Sequence, residues 1–292
     1  MSPPKQRTLD FAERQLRNRR ISACLIVAFL LFFALTGLAV DYLYLGIFAS
    51  GGRWFPVATL AALVVAGAVT ATGYRFGAEL ILKAIGAEPL DTEIPEHREL
   101  RNVVKEMALA SGCPMPRVFV VYDPAPNAFA TGRDENNSAI CITTGLLTLL
   151  SREETQGVVA HEIAHIRNRD IRVMMLVSVL LGGIALLADW AQRSLYAPRH
   201  GRRGGHRLIL LPALLLIVFA PLVGRLMALA VSRQREYLAD AAAVEFTRNP
   251  LGLAKALERL RDAAIPFHKA TRGTAHLFFV NPLPGGVDDR DG

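Results

Sequence analysis

The sequence predicts a mainly α-helical membrane protein carrying a small α+β domain, and three observations predict it. Of the 292 residues 52% are hydrophobic and only 20% are charged, with mean hydropathy +0.29, a balance too apolar for an ordinary soluble domain. Long apolar runs near the N-terminus and again past the middle of the chain hold most of that excess. Between and after them, polar stretches alternate short β-type runs with helical periodicity.

Residues 1–20 form a basic segment with Lys5, Arg7, Arg14, Arg17, Arg19 and Arg20. Two apolar runs follow, 21–44 and 54–72, each near the roughly 20 residues that cross a bilayer. The short Ser50-Gly51-Gly52-Arg53 turn joins them into a transmembrane hairpin over 21–74. The first run exceeds the roughly 7 to 15 apolar residues of a cleavable signal peptide and lacks a clean cleavage site, so it is expected to stay as an anchor. Arg75 and Lys83 flank the second run, while the turn carries only Arg53, which places both ends of the hairpin in the cytoplasm.

Residues 75–170 then form the first part of a cytoplasmic domain. Leu100, Val103, Val104, Met107 and Ala108 recur at helical spacing over 97–111, and Gly112-Cys113-Pro114 ends that helix. The β-type runs 117–122 and 139–143 are short strands, with 127–131 a third between them. Ser151 and Glu154 have the form of a capping box, and Val158, Val159, Ile163 and Ile166 continue at helical spacing, so a helix begins near Arg152.

That helix contains His161-Glu162-Ile163-Ala164-His165. Residues four apart share a helix face, so His161 and His165 can reach one metal ion while Glu162 meets a water beside it. Two histidines on a solvated face would have the same spacing, but the apolar stripe of this helix can pack on a core and leave the histidines facing a cleft. The pattern predicts a zincin-type metalloprotease domain in which zinc lowers the pKa of the water to about 7 and Glu162 takes its proton.

Residues 171–224 read as a second hydrophobic hairpin, with runs at 173–188 and 208–223. Its linker holds Arg193, Arg199, Arg202, Arg203 and Arg207, which sit badly on an outer membrane face. Two placements stay open: a spanning hairpin with a basic external loop, or a hairpin at the cytoplasmic face with its arginines at anionic head groups. Both return the chain to the side it left.

The return matters because catalytic zinc takes a third protein ligand. A third histidine six residues after His165 is excluded, since Ile171 stands there. In residues 225–292, the second part of the domain, Glu236 and Asp240 lie four apart on a helix and can both face the metal helix. Glu236 is the expected ligand, and Asp240 is expected to accept the second ring N–H of a ligand histidine, His161 foremost. By itself this stretch would read as a surface helix of alternating charge; beside the HExxH motif the metal reading prevails. His200 and His206 sit in a Gly/Arg-rich loop, and Glu245 has no companion carboxylate, so these are weaker candidates.

Asn127-Ala128-Phe129-Ala130-Thr131-Gly132, the HExxH motif followed by Asn168-Arg169-Asp170, and Arg235-Glu236-Tyr237-Leu238-Ala239-Asp240 together resemble the HtpX group of the M48 family of membrane zinc metallopeptidases. The likeness covers nearly the whole chain, hydrophobic hairpins included. It implies one Zn2+ per chain and an endopeptidase of the bacterial inner (cytoplasmic) membrane, multi-pass, with its active site toward the cytoplasm. It also implies that damaged or misfolded membrane proteins, or unfolded polypeptides, are the substrates. A CaaX-type prenyl-protein processing protease is the nearest enzymatic alternative, and a membrane scaffold that keeps the zinc fold without catalysis is the other. Family members usually carry a His-Pro-Pro stretch after Asn-Pro-Leu; here Asn281-Pro282-Leu283 leads into a Gly/Asp-rich tail ending at Asp291-Gly292, so the C-terminal region is expected to be truncated or divergent.

The segment at Asn127, Ala128 and Phe129 suits an exposed edge strand that binds substrate by its backbone. His276, beside Leu277-Phe278-Phe279, is a weaker candidate for stabilising an oxyanion. Cys24, Cys113 and Cys141 have no metal or redox spacing and are expected to be structural thiols. The net charge of +7 gathers at membrane flanks and in the linker without aromatic interleaving, which favours a bilayer with anionic head groups and no nucleic acid.

Overall fold

The computed structural model describes residues 5–44, 55–196, 233–263, 265 and 277–279. Helix α1 (Lys5–Tyr44) is continuous from the basic segment through the first apolar run, 40 residues or about 60 Å. The first glycine after Lys5 is Gly37 and no proline intervenes before it, so nothing in the sequence stops the helix where charge gives way to apolar residues. Helix α2 (Val57–Ala84) likewise runs past the end of the second apolar stretch. Among the described residues, Glu13–Tyr42 and Val57–Ala84 are the helical segments long and apolar enough to cross a membrane. Val27, Leu31, Leu35 and Val64 are each more than half exposed, an outward apolar surface suited to lipid.

The two helices are fastened at their far end. A Cβ at Gly37 would lie 2.4 Å from Thr59 Cα, so only glycine allows the backbones this close. The buried Asp41 carboxylate accepts hydrogen bonds from the Ala58 N–H (2.9 Å), the Thr59 N–H (2.8 Å) and the Thr59 hydroxyl (2.6 Å). It thereby satisfies orphan donors in the first turn of α2 from the opposite helix.

The α+β layer begins with β1 (Glu88–Pro89) and α3 (Pro95–Ser111), which Gly112 closes in the left-handed conformation (φ 71°). Strands β2 (Arg117–Val121), β3 (Ala128–Asp134) and β4 (Asn137–Thr143) join β1 in a sheet of order β1-β2-β4-β3. β2 pairs parallel to β4 and β3 antiparallel to it, with Ala128 opposite Ile142 and Ala130 opposite Ile140. The expected third strand therefore exists, shifted toward the C-terminus and forming a tight hairpin with β4; the two-residue β1 strand has no counterpart in the sequence expectation.

Helix α4 (Thr144–Leu149) leads to α5 (Arg152–Asn168), whose start is the expected capping box: the Ser151 hydroxyl accepts from the Glu154 N–H and the Glu154 carboxylate from the Ser151 N–H. Val158, Val159, Ile163 and Ile166 are fully buried with Leu100, Val103 and Val104 of α3 and Ile140 and Ile142 of β4. Helix α7 (Arg233–Thr247) presents Ala239, Ala242 and Ala243 to the same core, and α8 (Pro250–Asp262) adds Leu253, Ala256 and Leu260. The alanines let α7 come close to α5, and Phe246 fills the core farther along the same face.

Between α5 and α7 in sequence, α6 (Asp170–Tyr196) turns back along the hairpin, with Val173, Val177, Leu180 and Ile184 buried against Phe29, Phe33 and Ala66. The first run of the second hydrophobic segment thus starts as a third helix packed lengthwise on the first two. The second run, residues 208–223, lies outside the described residues, as do the linker arginines Arg199, Arg202, Arg203 and Arg207.

Candidate metal centre

Helix α5 brings His161 and His165 to the same side, both almost wholly buried, with their Nε2 atoms 3.1 Å apart. Glu236 Oε2, in the first turn of the described part of α7, lies 3.5 Å from His161 Nε2 and 3.7 Å from His165 Nε2. Tetrahedral zinc with bonds of about 2.0–2.1 Å to nitrogen and oxygen needs ligand atoms roughly 3.3 Å apart. The three edges bracket that value, so the residues fit such an ion. They form the one group of this kind among the described residues.

The other nitrogen of each imidazole is also held. His161 Nδ1 is 2.8 Å from Asp240 Oδ1, and His165 Nδ1 is 3.2 Å from Asp170 Oδ2. With each carboxylate placed to accept a proton on Nδ1, Nε2 is the nitrogen that each ring turns into the triangle, available to a metal once its own proton is lost. The sequence pattern proposed Asp240. It gives Asp170 no role beyond membership of the Asn168-Arg169-Asp170 motif. Asp170 is five residues after His165, too far to share its helical face. It reaches the ring because the chain reverses at Arg169 (φ 59°), which ends α5, and restarts as α6.

Glu162 is buried beside the histidines and its carboxylate accepts the Ala130 N–H of β3. Burial pushes its pKa up, a shift that the neighbouring histidines oppose and the Glu236 carboxylate assists. Glu236 is also penalised by burial, but hydrogen bonds from His161 and His165 outweigh this and hold its carboxyl well below the usual carboxylate range. Burial would lower both histidines, yet the bond to Asp240 at His161, the bond to Asp170 at His165, and Glu236 at both raise them instead.

Strand β3 is at the sheet edge, as the sequence suggested, but it is not exposed: Asn127, Ala128 and Phe129 are all buried. The Asn127 carbonyl takes the Thr143 N–H, and its side-chain oxygen takes the Ala128 N–H (3.0 Å). The Phe279 N–H donates to the Ala128 carbonyl at 2.9 Å, so the chain itself meets the outer edge of β3 there. Phe279 stacks edge-on against His161 (4.9 Å between centroids) and Phe278 against Phe129 (5.1 Å). His276 and Asn281-Pro282-Leu283 lie outside the described residues.

The model of peptidase family M48 matches residues 95–279, the stretch that builds strands β2, β3 and β4, both metal-facing helices and the Phe279 contact. The chain belongs to peptidase family M48. Among curated proteins it is similar to the protease HtpX homologue of Caldanaerobacter subterraneus, 44% identical over 216 residues and covering 72% of each chain. The HtpX homologue of Dictyoglomus turgidum is 39% identical over 259 residues, 88% of this chain and 81% of that one. That of Streptococcus thermophilus is 38% identical over 275 residues, 91% and 89%. This M48 chain is a membrane metalloprotease, and its apolar hairpin and its His/Glu cluster are the two parts that such a description requires.

Proposed function

We propose that this chain is a zinc endopeptidase of the bacterial cytoplasmic membrane that cleaves misfolded or damaged membrane proteins, with His161, His165 and Glu236 as metal ligands and Glu162 as general base. The observation that carries it is the triangle of ligand atoms at 3.1, 3.5 and 3.7 Å with a buried, non-ligating carboxylate next to it in sequence. When bound, zinc supplies Lewis acidity, bringing a water to a pKa near 7 and polarising the scissile carbonyl.

The remaining steps belong to the chain. Glu162, with its pKa raised by burial, is suited both to accept the water's proton and to give it to the leaving amine. The Ala130 backbone of β3 works against that rise, though more weakly than burial drives it. Asp240 and Asp170 keep each imidazole in the tautomer that presents Nε2.

Membrane-protein substrates are favoured by the position of the site. Asn18, which bonds to Asp170, stands three residues before the apolar run that begins at Ile21, about 5 Å along the helix. A cleft this close to the bilayer boundary meets juxtamembrane segments first. The lengthwise packing of α6 on α1 and α2 supports a multi-pass chain in which the second hairpin spans, with anionic head groups at its basic flanks. The basic flanks of the first hairpin support a site facing the cytoplasm. The domain division follows: 1–20 basic, 21–74 hairpin, 75–170 and 225–292 the two halves of the protease domain, and 171–224 the second hairpin between them. The CaaX-type and scaffold alternatives are not favoured, since the long-coverage relatives are HtpX proteases and a purely structural site has no use for Glu162.

The test is a paired assay on detergent-purified parent and Glu162→Gln: zinc per chain and cleavage of an unfolded protein such as casein. Zinc in both with cleavage in the parent alone is expected. Cleavage by Glu162→Gln at the parent rate would remove Glu162 as the base.

A further inference from the structure

The contact between α1 and the turn joining α5 to α6 is more specific than helix packing requires. Asn18 is 5% exposed, and its amide nitrogen uses both hydrogens: one goes to Asp170 Oδ1 at 2.6 Å, the other to the Asn168 carbonyl at 3.0 Å. Asp170, 3% exposed, divides its oxygens between partners, Oδ2 toward His165 Nδ1 and Oδ1 toward Asn18, with Arg235 Nε 4.0 Å from the latter. A buried carboxylate needs donors, and its direction is set by where they stand. Asn18 therefore decides which way Asp170 can face.

We propose that Asn18 is a positioning residue for the metal site, so that the helix that anchors the chain in the membrane also aligns His165. This rests on His165 being a ligand, as proposed above. The chain of contacts runs from Asn18 Nδ2 to Asp170 to His165 Nδ1, and each member is buried, so water is a poor substitute at any link. The second Asn18 hydrogen bond, to Asn168, grips the last residue of α5 as well and so fixes the turn on both sides of Arg169. Gln15, one turn earlier, bonds to Glu135 and to the Arg167 carbonyl and makes no contact with Asp170; it docks the same helix without touching the relay.

That difference provides the test. Full-length protein in detergent, with cobalt in place of zinc, would be compared as parent, Asn18→Ala and Gln15→Ala for the visible ligand-field spectrum and for the rate at which a chelator removes the ion. Asn18→Ala is expected to change the spectrum and to speed release about tenfold, the low end for partners of metal-binding histidines. Gln15→Ala should leave both unchanged. An Asn18→Ala protein with the parent spectrum and release rate would overturn the proposal, and so would equal effects from the two variants, since general loosening of α1 would then suffice. If Asn18→Ala does not fold, Asn18→Ser is read by the same criteria. Metal absent from the folded parent would instead strike at the proposed ligand set, so the two failures are distinguishable.

Discussion

The two aspartates that hold the histidine rings should differ in what their loss costs, and the difference follows from burial. Asp240 is 2.8 Å from His161, but its side chain is 41% exposed; when it is cut to alanine, water can enter and take the ring N–H. The net loss is that of one screened, charge-assisted hydrogen bond, about 1–1.5 kcal/mol, or about tenfold in metal affinity. Asp170 makes the longer contact, 3.2 Å to His165, yet its side chain is 4% exposed. Its removal strands the His165 N–H and one Asn18 hydrogen where water enters poorly, at about 2–3 kcal/mol or close to a hundredfold. Distance ranks the pair one way and burial ranks it the other. Competition for zinc between each purified variant and a chelator, at fixed pH and salt and with melting temperature as the check on folding, decides between them. Asp170→Ala should lose about ten times more affinity than Asp240→Ala. A larger loss at Asp240, or equal losses, would refute the burial-based ranking, and no loss at either would remove both from support of the ligands.

Three further outcomes are expected. Gly157→Ala should destabilise despite the roughly 1 kcal/mol helix preference for alanine, because the new Cβ would stand 2.7 Å from Leu253 N and 2.8 Å from Leu253 Cα in the backbone of α8; a net loss of about 1–2 kcal/mol, read as a lowered melting temperature, is the expectation, and a raised one would show that α8 yields freely. Zinc affinity should fall as pH falls, since His161 and His165 are raised above their ordinary value in the metal-free site and must lose a proton to bind; chelator competition over about pH 6–8 should show weaker binding at the acid end with protons released on binding, and a flat profile would contradict it. Neither Cys113 nor Cys141 should alkylate in the folded protein near neutral pH, as burial pushes both thiols up; mass spectrometry after iodoacetamide checks this, and ready labelling of Cys141 would mean that β4 opens.

What was legible in the sequence is what local geometry determines. The capping box and apolar spacing placed the start of α5 near Arg152, where it lies, because both are interactions within one helix. The four-residue spacings of His161 with His165 and of Glu236 with Asp240 placed each pair on one face for the same reason. Composition and run length identified the hairpin, since bilayer thickness sets how long an apolar helix must be. Charge marked where lipid should begin but not where α1 begins, because basic residues are good helix formers and nothing interrupts them.

The rest was decided by contacts that no local pattern encodes. Asp170 reaches His165 only because the backbone reverses at Arg169, and Asn18 reaches Asp170 across 152 positions of sequence because α1 docks on that turn. An edge position for β3 could be guessed, but its burial comes from helices of three separate segments packing on it and from Phe279 meeting Ala128. The sequence by itself determined which residues can bind a metal and which segments belong in a membrane, since both are properties of side-chain chemistry and spacing along one helix. The tertiary structure alone decided how ligands on α5 and α7 converge to within 3.7 Å, and which buried partners aim them, because convergence of separate elements is fixed by the packing of the whole core.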